Sequence, residues 1–213
     1  MVGRDDAAAQ PKFFLTTAYS LPMNRQSAWE LVCQYTASDS LRKHMLAVEA
    51  AMRAYARRMG ADEETWGIVG LLHDFDYERW PTAPDHPLQG AAILAEQAYP
   101  EHVIYAIKSH ADYLTDCPRV SPLDKTLYAC DELAGFITAV AKVRPEGIRG
   151  LKSSSVTKKL KQKSFAAAVN RDDITRGAAD LGIELDEHIQ FVIDALQPIA
   201  AELDLNSGPS GGC

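Results

Sequence analysis

Helix start and stop signals follow one another along this chain, and no convincing strand comes between them. Asn24 suits the N-cap of a helix reaching about Tyr35, and Ser38 or Ser40 opens a second that runs to Met59. A short polar side chain at such a position accepts a hydrogen bond from a first-turn N–H that no helical carbonyl can reach. Gly60 ends the second helix, since glycine enters the left-handed region at little steric cost. Asp62 begins a third, Glu63 to Leu72. Asp85-His86-Pro87 opens a fourth, to about Tyr99, and Pro100 a fifth, to His110, proline being tolerated in a first turn. Ser121-Pro122-Leu123-Asp124 has the form of a capping box, and its helix continues to about Val143. Pro145, Gly147, Gly150 and three serines make 144–155 a loop, after which shorter helices are expected over about 156–168, 172–181 and 186–203. The expected fold is all-α, a bundle of roughly eight helices.

The chain has 213 residues, enough for one domain with a real core. That domain is expected over 23–205, with an N-terminal tail at 1–22 and a disordered tail at 206–213, whose Asn-Ser-Gly-Pro-Ser-Gly-Gly-Cys has linker composition. A net charge of −7 argues against general nucleic-acid binding, which needs surplus Lys and Arg, but leaves room for a small phosphorylated substrate. Cys33, Cys117, Cys130 and Cys213 form no CxxC pair and no zinc-knuckle spacing, which points to a reducing, cytoplasmic setting. No apolar run approaches the length of a membrane span, and Phe13 to Leu21 is too polar for a signal peptide.

The chemistry concentrates where an apolar helix end, Ile68-Val69-Gly70-Leu71-Leu72, runs into His73-Asp74. An imidazole and a carboxylate do not enter an apolar core without partners, and one partner that satisfies both is a metal ion. Nitrogen and carboxylate oxygen together suit Zn, Fe, Mn or Ni better than thiolate-loving metals. Two further candidates interrupt other helices: His44 in Leu41-Arg42-Lys43-His44-Met45-Leu46, and Asp131 in Leu127-Tyr128-Ala129-Cys130-Asp131-Glu132-Leu133. Helix bundles build metal sites from side chains that project inward from facing helices. His102 and His188, the latter among Glu184, Asp186 and Glu187, are expected at the surface.

The order His44, His73-Asp74, Asp131, with the context Gly-Leu-Leu-His-Asp-Phe, resembles the H…HD…D signature of the HD superfamily over about residues 38–143. The resemblance implies an all-helical HD-domain bundle that hydrolyses phosphate esters with divalent metals. His86 and His110, which lie between the pair and Asp131, resemble the binuclear branch of that family. By that resemblance His44, His73, Asp74 and Asp131 hold a first ion, His86 and His110 a second, and Asp74 bridges them. One or two divalent ions per chain are implied, from among Fe, Mn, Zn, Ni, Co and Mg. His73 and Asp74 would form the catalytic core, and a metal-bound hydroxide would attack a small phosphomonoester or nucleotide.

Many family members carry Gly-Lys soon after the pair, with the lysine near the substrate phosphate. Here the run is Phe75-Asp76-Tyr77-Glu78-Arg79-Trp80, so the nearest cation is Arg79. Lys108, near His110, and Arg42 or Lys43, beside His44, are further candidate anion contacts, as are Lys158 and Lys161 in the lysine-rich stretch 152–163, which could form an electropositive rim. Tyr77, Trp80 and Tyr113 are candidate pocket walls, and Asp76 or Glu78 a candidate aid to proton transfer. Two rival readings share this scaffold. A complete two-metal ligand set also suits a mixed-valent di-iron oxygenase, and a protein that kept the site for a nucleotide signal would be a binding or regulatory module. The expected partner is a small anionic substrate, not a membrane and not nucleic acid. The sequence leaves the oligomeric state open.

Overall fold

The computed structural model describes residues 23–206. The tail expected over 1–22, and all of the 206–213 tail except Asn206, lie outside the described residues, as does Cys213. Among the described residues are nine α-helices and no strand: α1 (Arg25–Tyr35), α2 (Asp39–Met59), α3 (Glu63–Leu72), α4 (Asp85–Glu96), α5 (Glu101–Ser109), α6 (Pro122–Lys142), α7 (Ser153–Leu160), α8 (Arg171–Asp180) and α9 (Leu185–Leu196).

The caps explain most of these boundaries. Asn24 Oδ1 accepts from the Ser27 N–H at 2.9 Å, and Asp62 Oδ2 from the Thr65 N–H at 3.0 Å. Ser121 and Asp124 bond each other's backbone N–H in a reciprocal box at the start of α6. Gly60 closes α2 at φ 66°. Three expected boundaries need correction. The fourth helix stops at Glu96 rather than Tyr99, because Ala98 turns to φ 59° ahead of Pro100. The helix expected over 156–168 forms earlier, at Ser153–Leu160. The last helix ends at Leu196, where Pro198 lacks an N–H to continue it, and passes into a 3-10 turn over Gln197–Ile199.

The two longest helices, α2 and α6, pack on each other within the core. Helix α3 lies against α2, while α5, α8 and α9 lie against α6. Leu127, Leu133, Phe136 and Ile137 of α6 are fully buried beside Met45, Val48 and Met52 of α2. Each such side chain contributes about 1.5–3 kcal/mol relative to exposure. Two glycines set how closely the helices approach. A Cβ on Gly70 would lie 3.0 Å from the Glu49 backbone, so α3 crosses α2 nearly backbone to backbone one turn before His73. A Cβ on Gly177 would lie 2.6 Å from Ala129 Cα, which sets α8 equally close to α6.

His188 corrects another expectation. It is fully buried, with Nε2–H donating to the Ala129 carbonyl at 2.8 Å and Nδ1 accepting from the Tyr55 hydroxyl at 2.6 Å. It thereby ties α2, α6 and α9 together, and burial pushes its pKa down to about 4. Asp186 and Glu187 occupy other faces of α9, and Glu184 is its N-cap, while His188 shares the stripe of Val192 and Leu196. His102 is exposed, as expected. No helix among the described residues is long and apolar enough to cross a membrane.

Candidate metal centre

The six residues singled out in the sequence come together from five helices. His44 projects from the middle of α2. His73 is the C-cap of α3, with Asp74 next to it; His110 is the C-cap of α5; Asp131 lies within α6. His86 sits at a kink in the first turn of α4, where its ψ of 134° departs from helix geometry. A residue before proline is pushed out of the α region, so Pro87 is the local reason that the His86 side chain leaves the helix line.

Their ligand atoms form two groups that share Asp74, each group lying within 4.8 Å of itself: His44, His73, Asp74 and Asp131, and then Asp74, His86 and His110. In the first, His44 Nε2 is 3.0 Å from Asp131 Oδ1 and 3.3 Å from His73 Nε2. Asp74 Oδ2 is 3.5 Å from His73 Nε2 and 3.8 Å from His44 Nε2. In the second, Asp74 Oδ1 is 3.2 Å from His86 Nε2 and 3.5 Å from His110 Nε2, and those two nitrogens are 3.2 Å apart. The two oxygens of one carboxylate thus face different pairs of imidazoles.

The opposite edge of three rings fixes what the Nε2 atoms carry. His73 Nδ1 donates to the Gly70 carbonyl at 2.8 Å, and His110 Nδ1 donates to the Ile107 carbonyl. Both carbonyls belong to last turns, where helical partners run out. His86 Nδ1 donates to Asp76 Oδ1 at 2.8 Å, while Asp76 Oδ2 accepts from the Gly90 N–H at 2.7 Å. Carbonyls and carboxylates only accept, so in each neutral ring the proton is on Nδ1 and the lone pair on Nε2. Converging lone pairs a little over 3 Å apart repel unless a cation lies between them. This donor chemistry fits a metal ion, and Asp76 holds His86 as an outer carboxylate would hold a histidine that binds one.

The electrostatics agree. Burial pushes His73 down, but Asp74 and Asp131 outweigh it and hold the imidazole well above its usual range. Burial likewise lowers His86, and its bonds to Asp74 and Asp76 prevail, raising it to about 9. Asp74 and Asp131 are held well below the carboxylate range in spite of burial, chiefly by His73. The cluster therefore attracts positive charge, whether as protons or as metal ions.

A cavity of about 760 Å³ opens over the cluster, with His44, Asp74, His86, His110 and Asp131 on its floor. That volume suits a small ligand. His73 lies beneath, with no exposure. The expected walls Tyr77 and Tyr113 are there, but Trp80 is not; it packs beside Tyr35.

None of the four cations expected to bind substrate lines the cavity. Arg79 bonds the Gln34 carbonyl and lies over the Tyr35 ring. Lys108 is two positions from His110 on a helix, about 200° around the axis, so nearness in sequence turns it away. Lys158, on α7, and Lys161, its C-cap, are exposed, and α7 packs on α9. Arg42 bonds the Thr36 and Cys33 carbonyls, and Lys43 pairs with Asp39 and Asp204. Neither Asp76 nor Glu78 lines the cavity: Asp76 holds His86, and Glu78 accepts from the Ala37 and Ser38 N–H groups ahead of α2. The cavity's arginine is Arg176 of α8, and its wall also holds Asp112, Tyr128, Glu132 and Asp173. Nothing in the sequence signalled Arg176, whereas Glu132 adjoins Asp131 and could have been considered.

Residues 41–135 match the family model described as HD domain. The chain carries an HD domain. All six clustered residues lie within the match, from His44 in α2 to Asp131 in α6. HD domains form a superfamily of metal-dependent hydrolases that bind divalent ions, and the two groups of His and Asp side chains here suit such ions. Asp173 and Arg176 of the cavity wall stand outside the HD match, on α8. No solved structure matches the chain.

Proposed function

We propose that this HD domain is a metal-dependent phosphohydrolase acting on a small phosphomonoester or nucleotide through a two-ion centre. The observation that carries the reading is the division of Asp74, whose Oδ2 faces His44 and His73 while Oδ1 faces His86 and His110. In this reading His44, His73, Asp74 and Asp131 hold one ion, and Asp74, His86 and His110 hold the other. When bound, two divalent ions lower the pKa of a water between them and neutralise charge on a phosphoryl group. The protein's own part is positional. Gly70, Asp76 and Ile107 keep the imidazole lone pairs aimed inward, and the Tyr113 hydroxyl bonds the His86 carbonyl and steadies the kink of α4. The reading requires no serine or cysteine nucleophile.

The test is metal quantification on protein purified without chelator, together with a panel of phosphorylated metabolites assayed with several divalent metals. Phosphate release that depends on added Mn, Co, Ni, Zn or Mg supports the reading. Full metal occupancy with no release from any ester sinks it. The complete four-imidazole, two-carboxylate set also favours a second reading, a di-iron oxygenase. Two irons per chain with a mixed-valent paramagnetic signal and oxygen uptake would establish that instead. Bound metal with neither activity would leave a nucleotide-binding regulatory role.

A further inference from the structure

The cavity is short of cations on the side away from the imidazoles. A site that grips several phosphates usually lines them with Arg and Lys. Among the described residues the wall holds Asp112, Glu132 and Asp173 against the single cation Arg176. Arg176 is already engaged, bonding Asp112 and, at 3.1 Å, Asp173. Asp112 is bonded by Arg119 as well, and the Tyr128 hydroxyl, 2.8 Å from Asp173 Oδ1 and 3.1 Å from Asp112 Oδ2, donates its one proton between them. These two carboxylates are therefore satisfied within the protein.

Glu132 differs. It is partly buried and faces the cavity, yet no Arg or Lys pairs with it among the described residues. Burial, with Asp131 and Asp173 beside it, pushes its carboxyl up to about 7, and the Asn170 backbone offsets this only in part. Tyr77, Tyr113 and Tyr128 face the same space, and aromatic faces attract cations. Glu132 and Asp131 leave α6 from adjacent positions, about 100° apart around its axis. A group held by Glu132 thus lies a short tether from a group held at the imidazole cluster.

We infer that the substrate is zwitterionic: beyond its phosphoryl group it carries an ammonium group on a short linker, which Glu132 recognises. The inference rests on the phosphohydrolase reading only for where the phosphoryl end sits. Glu132 sets specificity and takes no part in bond cleavage. A second phosphate or carboxylate in place of the ammonium would meet the negative potential of Asp112, Asp131 and Asp173 that line the same cavity.

The experiment is calorimetric titration of the metal-loaded full chain with three matched, hydrolysis-resistant phosphonates: propylphosphonate, 3-aminopropylphosphonate and 3-phosphonopropionate. The amine is expected to bind at least 10-fold more tightly than the alkyl compound, and the carboxylate more weakly than either. Glu132→Gln should bring the amine to the affinity of the alkyl compound without changing the latter, and Glu132→Asp should keep part of the preference. Equal affinities in the wild type, a preference that survives Glu132→Gln, or no binding of any of the three would overturn the inference. Turnover is read separately, with phosphoethanolamine against ethyl phosphate. If no ester of the wider panel is hydrolysed either while the amine preference holds, the phosphohydrolase reading fails and the ammonium site stands.

Discussion

Asp76→Asn isolates how the second metal position is built. Asp76 is 1% exposed, and its two oxygens accept from His86 Nδ1 at 2.8 Å and from Gly90 N at 2.7 Å. Asparagine has the same shape but only one accepting oxygen. If that oxygen keeps the Gly90 N–H, the amide NH₂ faces His86 Nδ1. The ring can then relieve the donor–donor contact by moving its proton to Nε2, which removes the lone pair aimed at Asp74 and His110. If the oxygen keeps His86 instead, the buried Gly90 N–H is orphaned. A hydrogen bond to a charged group is worth about 1.5–3 kcal/mol, so stability should fall by roughly that amount. Loss of an outer partner of a metal-binding histidine costs about 10–100-fold in affinity. Dialysis against buffered Mn or Zn followed by elemental analysis should show one position filled as in the wild type and the other weakened by that factor. Two ions bound with wild-type affinity in Asp76→Asn would refute the argument that Asp76 sets the His86 tautomer.

Three further outcomes follow from other parts of the molecule. His188 is buried and neutral, its pKa pushed from 6.5 to about 4, so only the unfolded chain gains a proton as pH falls through that window; urea unfolding at pH 7 and 4.5 should show the wild type losing about 2–3 kcal/mol more than His188→Gln, and parallel losses would refute this. Gly177→Ala places a Cβ 2.6 Å from Ala129 Cα, so it should destabilise the fold by about 1–3 kcal/mol through overpacking; an unchanged unfolding midpoint would contradict the close crossing of α6 and α8. His44→Ala should leave one ion per chain by elemental analysis and Asp74→Ala none, whereas equal metal content in the two variants would show that Asp74 is not shared.

The helices were legible because their ends are written locally. Asn24, Asp62, Gly60 and the Ser121–Asp124 box each act within a few residues, so no tertiary contact was needed to place them. The six clustered residues were legible for a different reason. Each is a polar break in an apolar helix or a histidine at a helix end, and their order carried a family resemblance. The less legible features depend on direction around an axis or on distant packing. The acidic neighbours of His188 suggest a surface position, whereas Val192 and Leu196 on its own stripe mark it as core. Lys108 was judged by sequence distance from His110, which says nothing about the face it occupies. For Asp76, a candidate aid to proton transfer alongside Glu78, nothing local shows that its oxygens are taken by His86 and Gly90. Arg176 reaches the cavity only because Gly177 lets α8 approach α6, a contact between segments far apart in the chain.

The most direct test of the central claim is an anomalous-difference map from crystals of the full chain grown with Mn and measured to favour its scattering. Two peaks are predicted, one among His44, His73, Asp131 and Asp74 Oδ2, the other among His86, His110 and Asp74 Oδ1, about 3.5–4 Å apart as in other two-metal sites. A single peak, or peaks away from Asp74, would contradict a two-ion centre bridged by that carboxylate.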